Sequence, residues 1–380
     1  MNKFYLLFLV FTFLSCKTDK SSQEFNTEEF DFSYKLDTLQ IDSNGEFFFL
    51  NNGLGGSTVT PSGLIYTFNR PLNRLDVVDL TKRELVDTIP LEVEGPNGIG
   101  GLGINQIQLS DSGDFFFSSF TGLRQFGPDG ELKNWFNWDT EERIQKQFEN
   151  KGLISFEGIV SPEGSTFYGT YSADGRSGSS MADGLAIIDL RNLELKTIEI
   201  PKLAALKEYR IELEIDGMKT VSSDKFDLLL NDNKIIFTQS SVNSISVYDL
   251  KKDTLLNFDY QTNLLPAKKP GNFPRKVGTM EAFGEASNER SKEPLFGEIL
   301  FDSKNNLYYR VSYLKDPKPD GTIGWNGVFS VFDKEFNLVH EEDGLGRYTG
   351  KKFIIDGTVY RFINLDDELA FETLTPSIEK

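Results

Sequence analysis

Leu109-Ser110-Asp111-Ser112-Gly113-Asp114-Phe115-Phe116-Phe117 decides the fold class. A short strand runs into a tight polar turn, and a strongly apolar strand leaves it. Ser, Asp and Gly supply the side-chain acceptors and the left-handed backbone that such a turn needs, so the stretch predicts a β-hairpin. The form recurs. Val59–Tyr66 turns at Gly63, Val160–Tyr168 at Gly164, Leu230–Phe237 at Asn233, Phe301–Tyr309 at Asn305, and Ile354–Tyr360 at Gly357. A second hairpin follows most copies. Its first strand ends on an aspartate at Asp79, Asp189, Asp249 and Asp333, whereas the second copy turns at Gly127-Pro128-Asp129-Gly130.

Two hairpins make a four-stranded antiparallel meander. Serial meanders with almost no helical periodicity predict an all-β chain folded as a β-propeller. The unit averages roughly 58 residues, longer than the ~40–50 of common propeller repeats. The excess falls in loops at 139–157, 202–225, 261–296 and 312–326, with a short helix expected within Glu141–Asn150 and a helical turn at Pro201–Leu206. The last copy offers three strands, Lys351–Ile355, Thr358–Ile363 and Leu369–Leu374. The segment Phe32–Ile41 alternates like a fourth. Pairing the two would close the ring and remove two exposed strand edges. That count gives six blades, with seven as the alternative, in one domain over residues 31–380.

The first residues have a different character. Met1-Asn2-Lys3 precedes an apolar run from Phe4 to Leu14, then Ser15-Cys16-Lys17. A positive start, a short apolar stretch and a small residue before the cut are the parts of a secretory signal. The run is shorter than the about 20 residues that span a bilayer. Its end resembles the bacterial lipobox, which implies a signal peptide over 1–15 and acyl chains on Cys16. An ordinary signal with an unmodified cysteine is the alternative. Residues 16–30 are mostly polar and read as a flexible tether. Cys16 is the one cysteine in 380 residues, so the expected domain has no disulfide and must be held by its core.

Acidic side chains number 58 and basic ones 40, a net charge of -18. That balance excludes a nucleic-acid partner, which needs a basic footprint. It also argues against broad adhesion to anionic membrane surfaces. The expected membrane partner is the bilayer that holds the lipid on Cys16.

The Cys16 context, the six predicted blades and the loop Glu94-Gly95-Pro96-Asn97-Gly98 together resemble the six-bladed β-propeller lipoproteins of Bacteroidota grouped as domain of unknown function 4221, with TolB-like and NHL-like propellers as the wider type. The resemblance spans the chain from about residue 30 onward. It implies an envelope location and a propeller, and it brings no catalytic residues to carry over.

Chemical motifs are sparse. Gly98-Ile99-Gly100-Gly101-Leu102-Gly103 spells G-x-G-x-x-G, but a dinucleotide site needs a helix to start there. Ile104–Leu109 alternates like a strand instead. His340 is the single histidine, so a His/Cys transition-metal cluster within the chain is excluded. Calcium is the one cofactor that the Asp, Asn and Gly turns would suit, although those turns need such residues for backbone reasons. No nucleophile elbow is present, and no catalytic residue is assigned.

In a propeller, ligands bind where the loops converge on the axis. Arg70, Asn97, Gln106, Glu157, Arg310, Trp325 and Arg361 are the candidate ligand-binding residues. Arg70, Arg310 and Arg361 each follow or end the second strand of a repeat, which would aim all three at one face as an anion pocket. The alternative is that each pairs with a neighbouring carboxylate. The stretch Lys268–Lys276 in the longest loop is locally basic and aromatic. It reads as a solvated loop, or else as a lid or partner contact. The leading functional class is a binding module for an unknown protein or small molecule. The others are a metal-dependent lactonase-like or glycan-cleaving enzyme and a structural scaffold.

Overall fold

Phe115-Phe116-Phe117 is apolar without alternation because the second strand of each repeat is covered on both faces. Successive side chains of a strand point to opposite sides. Phe116 packs toward the following repeat and Phe117 toward the preceding one. Ile235 and Ile236 divide in the same way, as do Tyr308 and Tyr309. The computed structural model describes residues 31–379 except 101–102, 149–151, 174–181, 319–322 and 348–349. Cys16, the signal stretch and the tether lie outside the described residues.

The chain is all-β and folds as a propeller. Six of its sheets are four-stranded antiparallel meanders. Sheet I is Ser57–Val59, Leu64–Asn69, Arg74–Asp79 and Glu84–Pro90. Sheet II is Gln106–Leu109, Phe115–Ser119, Gly122–Phe126 and Leu132–Phe136. Sheet III is Leu153–Val160, Thr166–Ser172, Gly184–Asp189 and Leu195–Glu199. Sheet IV is Phe226–Asn231, Lys234–Gln239, Val242–Asp249 and Thr254–Asp259. Sheet V is Ile299–Asp302, Leu307–Pro317, Ile323–Phe332 and Leu338–Leu345. Sheet VI is Lys352–Ile355, Thr358–Leu365 and Glu368–Glu379, completed by the N-terminal strand Asp31–Gln40. That strand pairs antiparallel along the whole of its length, with Leu36 opposite Leu374. An apolar cluster fills each gap between consecutive sheets, and the one between VI and I joins Phe353, Phe362 and Phe371 to Ile65 and Val78.

The turn aspartates have a repeated backbone task. The carboxylates of Asp79, Asp189 and Asp249 each accept the amide N–H groups two and three residues on. The residue four on then turns left-handed, at φ 62° for Arg83, 59° for Leu193 and 54° for Asp253. Its N–H returns to the aspartate carbonyl at 2.8–2.9 Å. These hairpins are closed by Asx turns, and their carboxylates are thereby committed to backbone.

Three of the predicted loops are corrected. Residues 312–326 are not a loop, because the strands Leu307–Pro317 and Ile323–Phe332 extend sheet V into a long hairpin. The loops 202–225 and 261–296 build a seventh sheet and a helix. Ile211–Ile215 pairs antiparallel with Met218–Ser222 and parallel with Lys276–Val277, and the helix Met280–Ser291 packs beside it, capped by the Thr279 hydroxyl. We call this unit the cap. The expected helices are present as Glu142–Gln145 and the 3-10 helix Pro201–Tyr209. The basic stretch is not a solvated loop throughout. Lys269 and Phe273 are both buried, Lys269 against Asp224 at 2.7 Å and Phe273 against Tyr209 and Ile211.

Candidate functional site

Strand register separates the three arginines that were expected to share one pocket. Arg310 lies opposite Ile299 and Arg361 opposite Lys352, both within their sheets. Arg70 instead lies past the end of Leu64–Asn69, in the turn that leads to Arg74. Arg361 is fully buried. It pairs with Glu372 on the adjacent strand and donates to the Gly346 carbonyl at 3.3 Å. Arg310 is buried between sheets IV and V, its guanidinium donating to Asn243 Oδ1 and standing 5.1 Å from the Phe332 ring centroid. Only Arg70 reaches solvent, and among the described residues its side chain has no hydrogen-bond or ion-pair partner.

Arg70 borders a cleft of about 440 Å³ with Glu157, Asn52, Asn105, Phe49 and Phe120. Apart from Glu157, each lining segment stands at the start of an innermost strand or in a turn at that same end. Residues 49–56 lead into Ser57, Asn105 leads into Gln106, and Glu157 lies on the first strand of sheet III. Close approach and backbone conformation both favour glycine on the floor. A Cβ on Gly56 would sit 3.1 Å from the Ile104 carbonyl, and Gly103 holds φ +80° beneath Arg70. Glu157, like Arg70, has an exposed side chain with no partner among the described residues. A guanidinium and a carboxylate left free in one cleft provide donors and acceptors at no cost of breaking an ion pair. Phe120 is 74% exposed, and Phe47 and Leu72, on the same loops as Phe49 and Arg70, are exposed as well.

Beside the cleft, the first strands carry a charged group of their own. Lys352 donates to Glu298 at 2.8 Å, and Lys351 donates to the Ser57 carbonyl at 3.3 Å. Asp227, on the first strand of sheet IV, feels both Glu298 and Lys352. Burial, reinforced by Glu298, pushes its carboxyl up to about 7. Burial lowers Lys351, whereas the carboxylates around Lys352 outweigh burial and raise it. Sequence reasoning missed this group. Its signal was a charged residue at the start of an apolar inner strand, as in Lys351-Lys352-Phe353.

The remaining candidates are structural. Gln106 Oε1 accepts the Gly158 amide at 3.2 Å, bracing sheet II against sheet III. Asn97 Oδ1 accepts the Leu132 amide at 3.1 Å and ties its loop to the outer strand of sheet II. Trp325 is covered by the Arg347 guanidinium, 3.9 Å from its ring centroid. After Gly103 the G-x-G-x-x-G stretch enters a strand. Among the described residues, no three His, Cys, Asp or Glu side chains group as metal ligands, and no helix is long and apolar enough to cross a membrane.

No curated protein matches the chain. A crystal structure of a DUF4221 family member from Bacteroides vulgatus superposes with a TM-score of 0.67 at 16% identity, covering 92% of this chain and 99% of that one. A protein of Bacteroides fragilis described as exported superposes with a TM-score of 0.51 at 7% identity, covering 91% and 96%. At these identities the likeness shows the fold alone. The family described as Domain of unknown function (DUF4221) matches residues 29–343. With most of its length matched, the chain belongs to the DUF4221 family.

Proposed function

We propose that the chain is a binding module of the cell envelope, held to a membrane by lipid on Cys16, that takes its ligand in the cleft at Arg70 and Glu157. One observation carries the reading: two opposite charges stand free in one open cleft, among asparagines and exposed aromatic rings. Aromatic side chains around polar anchors are the usual make-up of a recognition surface. The ligand class that fits is a peptide segment or a small polar molecule carrying a carboxylate for Arg70 and a donor for Glu157.

Six blades are the count we favour, with the cap as an insertion on the ring. The six four-stranded sheets share one strand order and one apolar cluster per gap, whereas the seventh sheet has three strands and a parallel pair. A lactonase-like metal centre is the less favoured reading, since the Lys352 ammonium already occupies Glu298, and with Lys351 beside it would compete with a divalent cation for the inner-strand carboxylates.

Isothermal titration against short peptides with free or amidated C-termini, uronic acids and neutral oligosaccharides tests the cleft. Binding should fall at least tenfold in Arg70→Ala and in Glu157→Gln, the effect of losing one charge-assisted hydrogen bond. Affinity unchanged in both variants would refute the site. For the anchor, Cys16→Ser should move the protein from the membrane to the soluble fraction. Retention on the membrane would contradict lipidation.

A further inference from the structure

Arg310 is 1% exposed, and its Nε and Nη1 have no hydrogen-bond partner among the described residues. A buried guanidinium with no carboxylate in ion-pair contact costs several kcal/mol, so its surroundings carry information. Strand alternation identifies them. Ile236 and Ile245 of sheet IV and Tyr308 of sheet V pack into the gap between the two sheets. Two residues along, on the same faces, stand Thr238, Asn243 and Arg310, and then Ser312. All four are buried. Thr238 Oγ1, Asn243 Nδ2 and Ser312 Oγ also lack partners.

These groups are donors around a cation. Tyr260 and Phe332 wall the space with aromatic rings at 5.6 and 5.1 Å from the guanidinium carbon. The charge of Glu341 acts on Arg310 without ion-pair contact, because its oxygens face other donors. One oxygen takes the Thr262 hydroxyl and the other the Ser330 hydroxyl at 3.0 Å. Asn243 and its neighbours also hold the segment that leads to the cap. The Asn243 amide donates to the Ala267 carbonyl at 2.8 Å, and the Lys269 amide to the Ser241 carbonyl at 2.9 Å.

We propose that the gap between sheets IV and V is a buried site for a small monovalent inorganic anion of the halide type, held by Arg310, Asn243, Thr238 and Ser312. The anion neutralises the guanidinium and accepts from the orphan donors, which a neutral water does only in part. Its occupancy stabilises the seam from which the cap springs. The site is separate from the Arg70 cleft and independent of what the cleft binds.

Melting of the whole protein in sodium chloride, sodium bromide and sodium gluconate at matched ionic strength tests the site, together with bromide anomalous scattering from crystals. A halide at the site gives a saturable rise in Tm, on the order of a few degrees, with chloride and bromide but not gluconate. Bromide should appear within hydrogen-bond distance of Arg310. Thr238→Val and Ser312→Ala, milder than Arg310→Met and each removing one donor, should weaken the half-saturation severalfold while the fold is kept. Equal melting in all three salts with only ordered water at Arg310 would overturn the proposal. So would a bromide peak without any halide-dependent melting, which marks an adventitious ion only.

Discussion

The ring face differs between its two sides. Over sheets I to III it is open, and the Arg70 and Glu157 side chains stand in an exposed cleft without partners among the described residues. At sheet IV the insertions cover the turn at residues 240–243, and the charged side chains beneath them are buried. Lys269 meets Asp224, Arg290 donates to the Ser222 carbonyl at 2.8 Å, and the Glu293 carboxylate accepts the Asn272 amide at 2.7 Å. The same inner-strand ends thus serve two purposes. Where the cap sits, charge is spent on holding an insertion in place. Where it is absent, the Arg70 and Glu157 side chains are left exposed and unpaired among the described residues. The Lys352–Glu298 and Asp227 group lies between the two sides and belongs wholly to neither.

The largest predicted effect comes from the capped side. Asp224→Ala leaves the Lys269 ammonium buried without its carboxylate, which costs about 3–5 kcal/mol. Chemical denaturation should show that loss, with early hydrogen exchange in Ile211–Ile215 and Met280–Ser291. A change below about 1 kcal/mol would mean that the cap is held by its apolar contacts alone.

Between the sides, Asp227 gives a pH signature. An ordinary aspartate ionises near 3.8, but burial beside Glu298 raises Asp227 to about 7. The folded protein therefore holds a proton that the unfolded chain releases. Its contribution to stability is full below about pH 4 and is lost as pH rises through 7. Asp227→Asn removes that loss, so the variant should gain Tm over the native protein from pH 5 to pH 8. A Tm difference constant across that range would contradict the assignment.

The smallest effect on stability belongs to the open side. Arg70→Ala and Phe120→Ala remove exposed side chains and should alter unfolding by no more than about 0.5 kcal/mol. Ligand affinity should fall all the same. A large stability loss in Arg70→Ala would place that residue among the structural arginines, beside Arg361.

Much of this was legible in the sequence, and the illegible parts share a physical cause. Hairpins are local: Asp79, Asp189 and Asp249 close turns with groups two to four residues away, so composition reveals them. The closing strand Asp31–Gln40 was legible through its alternation. The cap was not. Ile211-Glu212-Leu213-Glu214-Ile215 alternates cleanly, but its parallel partner, Lys276–Val277, is two residues long and some sixty residues distant along the chain. Arg70, Arg310 and Arg361 looked alike because each sits near a second-strand end. Pairing register distinguishes them, since Arg310 and Arg361 face residues of the inner strand and Arg70 faces none. Lys351, Lys352 and Asp227 carry no local signal of their burial, because nothing in the neighbouring sequence reports that an inner strand faces an axis.

The proposal stands or falls with the open side of the ring face as the ligand's seat. A photo-crosslinking side chain placed at Phe120, and in a second protein at Met218 on the exposed edge of the cap, tests it in intact cells. Mass spectrometry then reads the adduct on each. A ligand seated on the open side should give a discrete adduct at position 120 that diminishes when Arg70→Ala is added, and none at 218. An adduct at 218 alone, or one at 120 that is indifferent to Arg70, would contradict it.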